Sequence, residues 1–448
     1  MDTKLFKQKI LDFAIRGKLV PQDPNDEPAS VLLERIRAER EKFVAEGKLK
    51  RSKTTTDNRH YENLPFEIPE SWEWTRVGEV SDTCLGKMLD KQKNQGTNQF
   101  YLRNINVRWE GFELTDLLQM PFEANENERY SINYGDLVVC EGGEPGRCAV
   151  WDKQESIKFQ KALHRVRCHR GIINHYIQYV LKYLSTNGLL DDYFTGSTIK
   201  HLTGNALNSV LIPLPPTSEQ IRIVSVLKKW ITLLEDLEII KNDLQETIKR
   251  TKNKVLSFAI SGKLVQQDSN DEPSIELLKR INPNYVPCCD TSHYGNLPLS
   301  WCVCLLGDIV KVINGKNQSK VVNPNGQYPI YGSGGIMGYA DDYLCPENCT
   351  IIGRKGTINN PILVETKFWN VDTAFGICPS ECIDYLYLYY FCKSFNFNKL
   401  DKSTTLPSLT KTNIEQIHIP LPPLAEQKRI VAKVTKLLNL LDKITAEL

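Results

Sequence analysis

Two groups of residues in this 448-residue chain have the chemistry to hydrogen-bond base edges and phosphates. In the first half they are Lys87, Lys91, Lys93 and Asn94, in a run that opens at Gly86, followed by Tyr101, Arg103, Asn104, Asn106 and Arg108. Glu144 and Arg147 follow in the glycine-rich run 141–147, then Thr198, Lys200 and His201 in 196–201. The second half offers Lys316, Asn317 and Lys320, then Tyr331 and Ser333, Arg354 and Lys355, and Thr404 and Thr405. Arginine, lysine and asparagine are the side chains that pair with guanine and adenine edges or with phosphate oxygens. The alternation over 101–108 predicts a strand with Tyr101, Arg103, Ile105 and Val107 on one face and Asn104, Asn106 and Arg108 on the other. Singly, such residues are ordinary surface cations and turn formers. As sets that are small, polar and basic in both halves, they favour binding.

The sequence offers no strong catalytic constellation. It has no Gly-x-x-x-x-Gly-Lys-Ser/Thr loop for nucleotide phosphates, and Gly332-Ser333-Gly334-Gly335 lacks a strand-to-helix dinucleotide context. An Asn/Asp-Pro-Pro-aromatic tetrad, the mark of amino-methyltransferases, is absent. Glu365 and Lys367 resemble the carboxylate–lysine end of a metal-dependent nuclease, yet they have no upstream Pro-Asp and no counterpart in the other half. Cys345 and Cys349, Cys378 and Cys382, and His164 with Cys168 are spaced like zinc pairs but lack tight Cys-x-x-Cys partners. No metal site is expected.

Composition bounds the class. Hydrophobic content of 41% and charged content of 25% are those of a globular protein, and the length calls for two to four domains. A net charge of +2 argues against a wholly basic protein but leaves room for local basic faces. No apolar run reaches membrane-span length and the start is not a signal peptide, so a cytoplasmic location is expected. The 13 cysteines are scattered and mostly apolar in context, which predicts reduced thiols.

The elements that position these loops come in two copies. Phe13-Ala14-Ile15-Arg16-Gly17-Lys18-Leu19-Val20 returns as Phe258-Ala259-Ile260-Ser261-Gly262-Lys263-Leu264-Val265. Ile212-Pro213-Leu214-Pro215-Pro216, with Glu219 and Gln220, returns as Ile419-Pro420-Leu421-Pro422-Pro423, with Glu426 and Gln427. Leu-Pro followed by Trp occurs at 64–72 and 297–301. The two registers join head to tail, so the second copy stops nearly where the first residue would continue it. Such doubling predicts pseudo-twofold symmetry suited to duplex DNA. Strands are expected at 136–140, 350–352 and 361–364, and helices at 174–184 and 385–393.

A long helix is expected over 218–260, on the order of 65 Å at ~1.5 Å per residue. Its seam would comprise Ile223, Leu227, Leu234, Leu237, Leu244, Ile248 and Val255, with Thr217 and Gln220 as a capping box. The second copy gives Ile430, Val434, Leu437, Leu441 and Ile444, continued by Thr3, Phe6, Ile10 and Phe13 at the other terminus. The domain expectation is an N-terminal helix (1–17) completing the second rod, a connector (18–59), a globular domain (60–216), a central helix (217–262), a connector (263–289), a second globular domain (290–423) and a C-terminal helix (424–448). The fold class is α/β (α+β): two similar globular domains separated by a long antiparallel two-helix coiled coil.

These features together resemble the specificity subunit of type I restriction–modification systems. The likeness is carried by both FAI-x-GKLV segments, both IPLPP…EQ…IV segments, YLRNINV at 101–107, CEGGEPGR at 140–147, IIGRKGTI at 351–358 and LTGNALNSVLIPLPP at 202–216. The resemblance implies two target recognition domains reading a bipartite, asymmetric site in double-stranded DNA. It implies spacer helices that dock two modification subunits, and restriction subunits as further partners. S-adenosylmethionine would sit on the modification subunits, and ATP and magnesium on the restriction subunits. This chain would be a non-catalytic reader. The competing classes are a self-contained metal-dependent nuclease and a coiled-coil scaffold without DNA binding.

Overall fold

The computed structural model describes residues 2–46, 64–90, 95–109, 111–196, 198–286, 294–401 and 407–448. The chain forms two compact units, 1–239 and 240–448. The first contains, in chain order, α1 (Thr3–Ile15), α2 (Ala29–Ala45), β1 (Glu73–Arg76), α3 (Val77–Val80), β2 (Ser81–Leu85), β3 (Thr97–Leu102), β4 (Val107–Arg108), β5 (Gly111–Phe112), β6 (Leu118–Phe122), β7 (Ser131–Ile132), β8 (Leu137–Cys140), β9 (Cys148–Val150), β10 (Ile157–Phe159), β11 (Leu163–Cys168), α4 (Asn174–Thr186), α5 (Gly204–Ser209), β12 (Leu211–Leu214) and the first half of α6 (Thr217–Ile260). The second contains the rest of α6, then α7 (Ser274–Ile281), β13 (Cys302–Leu305), α8 (Leu306–Ile309), β14 (Val310–Asn314), β15 (Tyr328–Gly332), β16 (Gly335–Ala340), β17 (Cys349–Gly353), β18 (Ile362–Val364), β19 (Trp369–Asn370), β20 (Ala374–Pro379), α9 (Tyr385–Ser394), α10 (Lys411–Glu415), β21 (His418–Leu421) and α11 (Leu424–Glu447).

Both units repeat one mixed α+β plan. A central sheet has the order β2-β11-β8-β9 in one unit and β14-β20-β17-β18 in the other. A second sheet is built on a parallel pair, β3 with β10 and β15 with β19, edged by antiparallel β6 or β16. A two-stranded ribbon closes each domain, β1 with β12 and β13 with β21. β8 is buried at all four positions because it is paired on both edges, so it reads as the continuous apolar run Leu137–Cys140. Behind it, α4 is buried around most of its circumference, with Gln178, Tyr179 and Tyr183 joining Tyr176, Ile177, Val180, Leu181 and Leu184.

The repeated motifs form the same latch twice. Glu219 and Gln220 are buried, as are Glu426 and Gln427. The Trp72 indole donates to Glu219 at 2.9 Å and Gln22 donates to the same carboxylate at 2.5 Å. Trp301 and Gln267 repeat both bonds on Glu426. Gln220 accepts from the Ile173 amide and donates to the Pro215 carbonyl, and Gln427 does the same with Asp384 and Pro422. Arg222 binds Asp26, and Arg429 binds Asp271. The capping box expected from Thr217 and Gln220 is therefore replaced. The Thr217 hydroxyl donates to the Gly171 carbonyl, and Gln220 is spent on the domain body. Burial pushes the Glu219 and Glu426 carboxyls up, partly opposed by the indole and amide donors that favour the charged form.

The glycine of each FAI-x-GKLV segment ends a helix. Gly17 and Gly262 have φ of +68° and +70°, and a Cβ there would lie 2.4 and 2.5 Å from Pro69 and Pro298. The proline three residues before each tryptophan, Pro69 and Pro298, thus packs directly on the helix stop, which is why the tryptophan segment and FAI-x-GKLV recur together.

The helical seam is only partly buried. Ile223, Leu227 and Leu234 are buried in the first unit, and Ile248, Val255, Ile430 and Val434 in the second. Leu437 and Leu441 are half-buried. Leu237 (46% exposed), Leu244 (37%) and Ile444 (45%) depart from the expected seam. The reason is that contacts become polar at these places. In the first unit Thr3 and Lys7 both bind Glu238, while Phe6 lies edge-on to Trp230 at 5.9 Å. In the second, Lys241 binds the Leu448 carbonyl and Lys252 binds Asp442.

The cysteines also need a correction. Cys349 on β17 and Cys378 on β20 face each other across the strand pair with Cα atoms 4.6 Å apart, and they form a disulfide. Scattered spacing gave no sign of this, because the pairing comes from sheet register. Cys140 and Cys345 are buried thiols pushed up to about 11 and about 12 by desolvation.

Candidate nucleic-acid interface

In the first unit three loops converge at one end of the central sheet. The chain leaves β8 at Cys140, turns through 141–147 and re-enters β9 at Cys148. The turn is closed by Gly146 N–H to the Cys140 carbonyl at 2.9 Å, and Gly143 and Gly146 have φ of +79° and +90°. A Cβ on Gly142 would lie 3.1 Å from the His201 ring, and one on Gly143 would lie 2.8 Å from the Asn104 amide. Glycines let this loop sit under its two neighbours.

Arg147 donates to Glu144 at 2.6 Å and to the Asn104 carbonyl at 2.9 Å. The Trp109 indole donates to the other Glu144 oxygen at 2.7 Å. His201 is held by paired backbone bonds to Thr195, and Lys200 reaches Asp191 at 3.1 Å. Thr198, Ile199 and Lys200 are exposed. The structure thus brings Asn104, Glu144, Arg147, Lys200 and His201 to one place. Trp109, which fixes Glu144, was missed by the sequence reading; a lone tryptophan among polar residues was its only signal.

Other expected contacts are used inside the domain. The strand expected over 101–108 is broken by a 3-10 turn at Asn104–Asn106. Asn106 causes the break. Its buried side chain accepts from the Arg103 amide and donates to the Glu113 and Asp116 carbonyls. Tyr101 is buried in the core. Lys87 is buried as well, donating to Pro121 and pairing with Glu126 at 2.5 Å over the Phe122 ring. Arg103 is tied to Asp116, and Arg108, exposed, folds back on the Ile105 carbonyl. Lys91, Lys93, Asn94, Thr404 and Thr405 lie outside the described residues.

The second unit builds the equivalent end from Ser333, 353–357, 370–374 and 407–409. Arg354 donates its amide to the Thr373 carbonyl at 2.7 Å and its guanidinium to the Asp372 carbonyl at 3.4 Å. Lys355 forms a bridge with Ser408, and the Gly356 amide donates to Pro407. A Cβ on Gly353 would lie 3.0 Å from that of Ser333. Lys316, Asn317, Lys320, Arg354 and Lys355 are exposed, and Tyr331 is half-buried against Phe368. The nuclease candidates do not form a site: Glu365 accepts from the Tyr385 hydroxyl at 3.4 Å, whereas Lys367 lies over the Tyr343 ring.

The model of the type I restriction modification DNA specificity domain matches residues 69–250 and 298–448, one match in each repeat. The chain belongs to this family. It is similar to the EcoAI specificity subunit of Escherichia coli, at 26% identity over 98% of this chain and 90% of that relative. It is also similar to the MjaVIII specificity subunit of Methanocaldococcus jannaschii, at 30% identity over 84% and 88%. The fold is shared with the HsdS subunit from Thermoanaerobacter tengcongensis, with a TM-score of 0.56 and 17% identity over 86% of this chain and 93% of that one. A chain from a structure of type I R-M complex assembly shares it too, at a TM-score of 0.64 and 19% identity over 86% and 94%. In this family frame, the loops at the ends of β8 and β17 belong to the specificity domains themselves. Among the described residues no helix is long and apolar enough to cross a membrane.

Proposed function

We propose that this chain is the DNA-reading subunit of a type I restriction–modification assembly, with each unit reading one half of a bipartite, asymmetric duplex site. The observation that carries the reading is one scaffold used twice with different loops. The latches at Glu219 and Glu426 repeat bond for bond, while the loops at 141–147 and 353–357 differ in length and charge. Two different readers on one frame require a target with two different halves.

The first unit's site is read by Asn104, Glu144, Arg147, Lys200 and His201, and the second's by Lys316, Ser333, Arg354 and Lys355. Arginine pairs bidentately with guanine, lysine with guanine or phosphate, and glutamate accepts from the cytosine amino group. The helical segments serve as spacer and as docking surface for two modification subunits. Those subunits carry S-adenosylmethionine, and restriction subunits carry ATP and magnesium. Adenine methylation requires the target base to leave the stack, so binding here tolerates a distorted duplex. Near-neutral charge fits this division, with partners holding much of the phosphate backbone.

The test is to express the chain with its modification partner in a host free of adenine methylation and to map the methylated positions. The reading expects a split, non-palindromic motif with a fixed gap. A palindromic or uninterrupted motif would contradict it. The purified chain with magnesium and plasmid is expected to leave the DNA uncut, and cleavage would revive the nuclease alternative.

A further inference from the structure

The two specificity units can be superposed residue by residue through their backbone hydrogen bonds, and this singles out one position. The Lys87 amide donates to the Phe159 carbonyl, as the Lys316 amide does to Asn370. From there the registers run together. Leu85 lies opposite His164, and Asn314 lies opposite Phe375. Leu163 lies opposite Cys140, and Ala374 lies opposite Gly353. The next residue is Glu141 in one unit and Arg354 in the other. Two bonds in each unit support the match: the Glu141 amide donates to Ala162 and the Arg354 amide to Thr373, while the Leu202 and Leu409 amides donate back to the Glu141 and Arg354 carbonyls. The backbone at this position is held identically, and the side chain reverses its charge.

Neither side chain forms an ion pair with a described residue, although the Glu141 carboxylate lies near enough to the buried His164 ring to favour its charged form. The half-buried Glu141 carboxylate makes no hydrogen bond or ion pair with a described residue, unlike Glu144 three positions on. The Arg354 guanidinium is exposed and makes one long bond to the Asp372 carbonyl. Both stand at the mouth of the loop that carries Arg147 or Lys355. An unpaired carboxylate facing a polyanion is unfavourable unless it meets a donor. In the major groove the donors are the exocyclic amino groups of cytosine and adenine, while guanine presents two acceptors to an arginine.

We propose that the first residue after β8 and β17 is a base-reading position of each domain, with Glu141 accepting from a cytosine amino group in one half-site and Arg354 donating to a guanine in the other. This rests on the DNA-reading function proposed above, and adds to it the residue and the base chemistry. The fixed backbone makes it a positional code, in which changing the side chain changes the preferred base pair and nothing else.

The test uses the complex with its modification partner in the methylation-free host, comparing wild type with Glu141→Gln, Glu141→Arg, Arg354→Lys and Arg354→Glu. Glu141→Gln and Arg354→Lys keep size and leave folding undisturbed. The expected result is a change of preference at one base pair, about tenfold or more. It falls in one half-site for the Glu141 variants and in the other for the Arg354 variants, with the gap unchanged. Unaltered motifs in all four variants would overturn the proposal. So would an equal loss of methylation at every sequence from an assembled complex, since that is the behaviour of a residue that only supports the loop. A wild-type complex with no split motif would instead refute the DNA-reading function itself.

Discussion

Lys87 and Lys316 hold the same backbone position, yet one is buried and the other exposed. Lys87 enters the space between Glu126 and Phe122, beneath residues 118–132. Lys158 joins it there, donating to Asn127 and Ser131, with its ammonium pushed down by burial. In the second unit the residue equivalent to Lys158 is Trp369, whose indole donates to the Lys316 carbonyl. An apolar ring fills the space and Lys316 is left at the surface. A frame can therefore stay fixed while the same residue type moves from structural duty to surface duty. The latches at Glu219 and Glu426 show the opposite case, in which the environment and the residues are both retained.

This contrast makes predictions of decreasing size. Glu219→Ala and Glu426→Ala each leave a buried indole N–H without an acceptor and a small void beside it, and each should lower stability by about 3 kcal/mol in denaturant titrations. Unequal losses would break the equivalence of the latches. Lys87→Ala should cost about 3 kcal/mol by stranding Glu126. Lys316→Ala should stay within about 0.5 kcal/mol of wild type, and should reduce the salt slope of duplex binding by about one in the complex. An unstable Lys316→Ala or a harmless Lys87→Ala would reverse the comparison.

The smallest effect concerns pH. The folded-state pKa of Glu219 and Glu426 is raised, so their contribution is fully present below the unfolded carboxylate value and is lost as pH rises through the folded one. The melting temperature of wild type relative to Glu219→Gln should therefore move in favour of wild type as pH falls from neutral toward the ordinary carboxylate range. A constant difference would mean that the donors from Trp72 and Gln22 cancel the burial entirely.

Much of the frame was legible because the chain says it twice. The helix stops at Gly17 and Gly262, the start of α6 after Pro215 and Pro216, and β8, β17, α4 and α9 all follow from local pattern. The latch was legible in principle, since Gln22, Trp72 and Glu219 all recur as Gln267, Trp301 and Glu426. What local pattern could not show was partner choice across the fold. Tyr101, Asn106 and Lys87 have the side chains of DNA contacts, but sheet register and the turn at 104–106 place them inside. Glu141 was passed over for the opposite reason. A lone acid before two glycines has no signature, and only alignment of the two units through their hydrogen bonds sets it against Arg354.

The central claim is that one frame carries two independent readers. The most direct measurement exchanges residues 60–216 for the equivalent stretch of a relative such as the EcoAI subunit, then maps methylation in cells carrying the hybrid and its modification partner. The account predicts that one half of the motif changes while the other half and the gap persist. A motif altered in both halves, or in neither, would contradict it.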